Sequence, residues 1–231
     1  MQLPFSAEQF FDVFARYNQA IWPAQWLLTG LALTAVGLII LKPTASARIV
    51  SVILAGLWLW MGAVYHLGYF ASINTAARLF GAAFVAEAGV LLWVTIKGPR
   101  LSLRLAPDLN GIVGSALVVY ALAVYPLIGY FSGHRYPATP TFGAPCPTTI
   151  FTFGLLLWMA DRVPWSVVII PAAWALIGTF AAIRLSVPQD YGLLVAGVVT
   201  VALLARRSAS QRSRGSSNQR INTMPTRAQR Q

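Results

Sequence analysis

Cys146 is the single cysteine of the chain and stands between Pro145 and Pro147, within YPATPTFGAPCPTTIFTFG at residues 136–154. Glycine and proline at that density cannot continue a helix, so the backbone breaks here and restarts at Pro147. If Pro147 opens the helix, Cys146 takes the N-cap, where free N–H groups and the helix dipole stabilise an anion. That setting favours a thiolate, as nucleophile or as metal ligand, and Thr148 and Thr149 add hydroxyls beside it. The competing reading is a small buried apolar residue in a rigid break, since free cysteine is among the most buried residue types. With His66 and His134, the only two histidines, Cys146 makes a three-ligand set with an open position for a soft metal ion. No short-range ligand spacing accompanies that set, and each histidine alone reads equally as a hydrogen-bonded anchor. Haem ligation by the two histidines has no CxxCH signal behind it.

Glu87 is the one acidic residue set well inside an apolar segment. An ionisable group at that depth marks a proton or cation site by default, here with Tyr120 or Tyr125 as partner. A protonated glutamic acid hydrogen-bonded between helices is the alternative. Pro126 and Pro171 fall within apolar segments and predict kinks there. Gly129 and Gly133, four apart, fit a close helix contact. There is no GxxxxGK[ST], HExxH or GxSxG motif and no aspartate pair for a magnesium diphosphate. With six acidic residues in all, phosphoryl or glycosyl transfer has little to work with. An internal repeat, which would point to an inverted-repeat transporter, is missing too.

The elements that must position these residues follow from composition. Apolar residues make up 57% of the 231, and only 10% are charged, against roughly 25% in ordinary soluble domains. Several near-uncharged runs approach the roughly 20 residues that span a bilayer, and they are continuously apolar rather than alternating. The fold class is therefore an all-α integral membrane protein. Seven spans are expected, near residues 24–41, 49–69, 75–96, 111–131, 148–160, 165–185 and 191–205. The fifth has 13 residues, roughly 20 Å of helix, and needs irregular backbone before Pro147 to complete a crossing. Before the first span, PFSAEQFFDVFARYN reads as a short amphipathic helix at residues 4–18. Ser6 and Gln9 can form a capping box, and Phe5 and Phe10 a hydrophobic staple. That helix either lies in the membrane interface or lids the bundle. It has no positively charged n-region, so no cleavable signal peptide is expected. One transmembrane domain over residues 1–205 is followed by an Arg-rich tail, 206–231, read as disordered.

The net charge of +11 is concentrated: seven arginines lie in that tail, which has no acidic residue. This composition suits anionic lipid at a membrane surface rather than nucleic acid. Lys42, Arg48, Lys97, Arg100 and Arg104 fall in loops on the tail's side of a seven-span chain. The positive-inside rule then puts the C-terminus in the cytoplasm and the N-terminus outside. On this count His66, Asn74, Arg78, His134, Cys146 and Asp190 all collect on the outer face, with Thr148 just inside it.

The strings PFSAEQFFDVFARYN with WPAQ, WLWMGAVYH, FGAPCPTTIFTFG and VPQDYGLL carry a resemblance. Together they make the chain similar, over about its first 205 residues, to a family of bacterial integral membrane proteins known only as a domain of unknown function. The resemblance implies a bacterial inner-membrane protein and brings no assigned activity or catalytic residue. Three functions follow as expectations. One is a small permease or channel-like protein with an outward polar vestibule, using Cys146, His66 and His134 at the mouth and Glu87 at depth. Another is a membrane thiol or metal enzyme using Cys146. The third is a structural or partner-binding subunit.

Overall fold

The computed structural model describes residues 3–41, 43–98 and 102–222, with the side chains of 43–45 and 212–222 left aside. Lys42, Arg100, Arg227 and Arg230 lie outside the described residues. Among the described residues the regular structure is helical, with two isolated bridges and no strand.

The N-terminal helix α1 (Ala7–Ala20) begins as its sequence dictates, with Ser6 and Gln9 exchanging both hydrogen bonds of the capping box. Phe10, Val13, Phe14, Tyr17 and Asn18 form its buried face. The first span is α2 (Ala24–Leu41). The second is α3 (Pro43–Trp60), which widens without a break into a π-helical segment, Met61–Tyr69. The third is α4 (Ala77–Lys97). The fourth joins α5 (Leu109–Val119), a π segment at Tyr120–Val124 and α6 (Tyr125–Phe131). Next come the short α7 (Pro145–Leu157), α8 (Ile169–Leu185) and α9 (Tyr191–Asn222). Among the described residues six helical stretches are long and apolar enough to cross a membrane, which makes the chain a polytopic α-helical membrane protein.

The fifth expected span is α7, too short by itself. It runs antiparallel to α5: Trp158 Nε1 donates to the Gly111 carbonyl at 3.2 Å, while Gly154, one turn back along α7, faces Gly114, one turn on along α5. A Cβ on either glycine would come within 2.8 Å of the other's carbonyl oxygen, so the two backbones touch. Packed on α5, α8 and α9, α7 has every residue but Cys146 buried and forms the axis of the bundle. The turn just beyond α7 is held by Arg207, which donates to the carbonyls of Met159, Ala160 and Asp161. Arg207 is thus part of the fold. The helix α9 runs to Asn222, past residue 205, where the disordered tail was expected to begin; residues 223–231 lie outside the described residues.

Pro126 stands in the first turn of α6, directly after the π segment Tyr120–Val124. Pro171 stands in the first turn of α8, where its missing N–H costs nothing. The Gly129/Gly133 contact is not a helix seam. Gly129 lies against the Gln189 side chain, while Gly133 ends the helix at a φ of +87° with nothing near it.

Candidate functional site

The buried stripe of α1 is set by aromatic spacing, and it lands on the π segment of the second span. Phe14 stacks on Tyr65 at 5.2 Å, and Tyr17 meets Tyr65 and Tyr69 edge-on at 5.3 and 5.4 Å. Trp60 Nε1 donates to the Tyr17 hydroxyl at 2.8 Å. Burial pushes the Tyr17 phenol well above its usual pKa, so it stays neutral. Of the two roles open to α1, the structure shows the lid.

Asn18 fastens that lid to the stretch leading to Cys146. Its Nδ2 donates to the carbonyls of Pro137 and Thr139, each at 2.7 Å, and its Oδ1 accepts from the Thr141 hydroxyl at 2.9 Å. Farther along, the Thr148 hydroxyl accepts from the Gly143 N–H at 3.0 Å, where φ is +95°. Helix α7 starts two residues earlier than expected, with Ala144 at the N-cap and Pro145 at N1, so Cys146 lies within the first turn rather than capping it.

Beneath α1 lies a cavity of about 110 Å³. Its walls are mainly aromatic, from Phe5, Phe10 and Phe14 of the lid to Tyr65, Phe70, Phe80 and Trp174. Cys146, Asp190 and Asn74 supply polar atoms. Asp190, on the single turn before α9, is buried. It accepts a short hydrogen bond from the Tyr125 hydroxyl and stands within hydrogen-bonding reach of the Cys146 thiol. The neighbouring Gln189 is buried as well; its carbonyl accepts from the Tyr120 hydroxyl at 2.7 Å. Trp174 Nε1 makes no full hydrogen bond among the described residues and points toward the Cys146 sulfur.

The expected site residues therefore separate. Cys146, Asp190 and Asn74 share the cavity wall. His66 lies behind it, fully buried, with its ring against Phe84 at 4.7 Å and Trp174 at 5.0 Å and neither nitrogen hydrogen-bonded. His134 stacks on Phe11 at 4.4 Å and contacts Gln189 at about 3.3 Å, in a separate open groove shared with Arg135, Trp22 and Trp26. Among the described residues no three His, Cys, Asp or Glu side chains group closely enough for a metal, so the triad Cys146, His66 and His134 does not form. The aromatic packing around His66 and the stacking of His134 hold the imidazoles apart. Thr148 is buried and spends its hydroxyl on the loop, and Arg78 is exposed outside the cavity. Glu87 is fully buried, but both tyrosines named for it bond elsewhere, and its oxygens make no hydrogen bond. Tyr65, Trp174 and Asn18 were not picked out as site residues. Only Asn18 had a usable signal, four residues beyond Phe14 on the same helical face.

The fold and this lidded cavity define a polytopic membrane protein with a candidate site under its N-terminal helix. The chain belongs to the DUF6064 family, a family of unknown function whose model matches residues 7–214. No curated protein and no solved structure is similar enough to match it.

Proposed function

We propose that this is a bacterial inner-membrane permease for a small solute, with its binding site in the cavity under α1. One observation carries the reading: the segments that meet at the cavity are interrupted helices. They are the π segment Met61–Tyr69, the start of α7, and the break between α8 and α9. Irregular backbone at membrane depth survives where it is covered by protein or lines a cavity, and broken helices build the solute sites of membrane carriers. The vestibule imagined as polar is an apolar, aromatic pocket with few polar atoms, the usual make-up of a small-molecule site.

The pocket end faces outward in this proposal, because Arg48, Lys97, Arg104, Arg206 and Arg207 belong to the other end and suit the cytoplasm. The tail's arginines then meet anionic lipid of the inner leaflet. A thiol enzyme is less well supported: a thiolate at Cys146 would stand beside the Asp190 carboxylate, with no cationic side chain on the cavity wall to stabilise it. Liposomes holding the purified protein test the permease by uptake of a panel of small ions and neutral solutes. Uptake above empty liposomes that falls when Ala181, on the cavity wall, is replaced by Phe supports it. Uptake indifferent to Ala181→Phe removes it.

A further inference from the structure

Asp190 raises a question that the lidded cavity does not answer by itself. The residue is 2% exposed; the Tyr125 hydroxyl donates to its carboxylate, and Cys146 stands beside it. A carboxylate is acceptor-only when ionised, so that donor suits the charged form, and the start of α9 adds a favourable dipole. Yet no positive side chain answers it. Among the described residues the one ion pair is Asp12–Arg16, on the exposed face of α1, and Asp190 is the only charged residue on the cavity wall. A buried charge without a countercharge is costly, and a ligand of opposite sign relieves that cost.

The surrounding walls narrow the choice of cation. Phe10 packs on Phe14 at 5.0 Å and on Phe70 at 6.2 Å, Tyr65 stacks on Phe70 at 5.7 Å, and Phe80 meets Trp174 at 5.5 Å. These rings hold one another in place and enclose the cavity on several sides. Aromatic faces around a carboxylate bind organic ammonium ions, whose diffuse charge is attracted by the ring quadrupoles and whose methyl groups fill apolar space. A metal ion would want a third hard or soft ligand, and no such cluster exists among the described residues. Size gives the last limit. A dry cavity of about 150 Å³ takes benzene, so one of about 110 Å³ takes on the order of five heavy atoms.

We infer that the cavity under α1 binds a small alkylammonium ion, with Asp190 as counter-ion and the aromatic walls as its cage. The inference names the substrate class of the permease site and rests on that reading. Phe5, Phe10 and Phe14 then belong to the cage as well as to the lid, so ordering of α1 and capture of the ion are coupled.

The test compares tetramethylammonium with tert-butanol, a neutral molecule of the same heavy-atom count. Dissociation constants are read from the concentration dependence of the melting temperature of the detergent-purified full chain. Tetramethylammonium is expected to bind at least about tenfold more tightly than tert-butanol. Asp190→Asn should bring the two to parity, and Ala181→Phe should weaken both. The wild-type comparison and Ala181→Phe decide the matter even if Asp190→Asn fails to fold. Equal binding of the two compounds to the wild type overturns the cation assignment and leaves the pocket standing. Absence of binding by either compound, or binding untouched by Ala181→Phe, overturns the pocket and the permease reading with it.

Discussion

Replacing Asn18 by alanine should unfasten the lid from the chain that carries Cys146. The truncation removes three hydrogen bonds, to the Pro137 and Thr139 carbonyls and from the Thr141 hydroxyl. All three sit in a partly buried setting, where water recovers some of the loss. At about 1 kcal/mol for each bond the local cost is about 3 kcal/mol, or roughly a hundredfold in the opening equilibrium of that loop. Because Cys146 is the only cysteine, its alkylation by a maleimide under native conditions reads that opening without background. Labelling follows the population of the open form when closing outpaces reaction. Asn18→Ala should therefore label about a hundredfold faster than wild type while still melting cooperatively. Thr34→Ala, which removes an exposed hydroxyl bonded to its own helix, should label at the wild-type rate. A folded Asn18→Ala protein within threefold of wild type would refute the clamp, as would an equal rise in Thr34→Ala.

Other expectations follow from the same contacts. Gly154→Ala places a methyl 2.8 Å from the Gly114 carbonyl and should lower stability by about 1–3 kcal/mol, while Gly30→Ala, with open space around it, should be neutral or better; melting temperatures in detergent separate the two. Trp58 donates to the Thr152 hydroxyl at 3.1 Å in the core, so a double-mutant cycle of Trp58→Phe with Thr152→Val should return a coupling of about 1 kcal/mol. A coupling near zero would mean that the bond adds nothing. Ser6→Ala removes the cap of α1 and should cost about 1 kcal/mol, seen as faster amide exchange at Gln9. If Glu87 serves the transport path, Glu87→Gln should alter uptake in the liposome assay while leaving the melting temperature near that of wild type. Unchanged uptake assigns Glu87 to the fold alone.

How much was legible depended on the range of the interaction. The capping box at Ser6 and Gln9 is written within four residues, and it formed as read. The apolar runs are long enough to register as spans whatever they pack against, because the bilayer rather than any neighbour selects them. Site chemistry was less readable. Cys146, Asp190 and Asn74 were named as candidates and meet at one cavity, whereas His134 was drawn into another groove by Phe11 and Gln189. Glu87 was expected to bond to tyrosines that instead bond at Gln189 and Asp190.

Hydropathy and local capping by themselves determined that this chain is a helical bundle in a membrane with an amphipathic helix at its N-terminus. The two π segments, the position of α7 at the axis, the hold of Arg207 on the turn after α7 and the aromatic cavity that Asp190 lines were decided only in three dimensions. Each of these depends on partners tens of residues apart, and linear spacing carries no record of which faces turn toward one another. A buried charge shows its meaning only when its surroundings are known, since the same aspartate at a water-exposed helix start would be an ordinary cap.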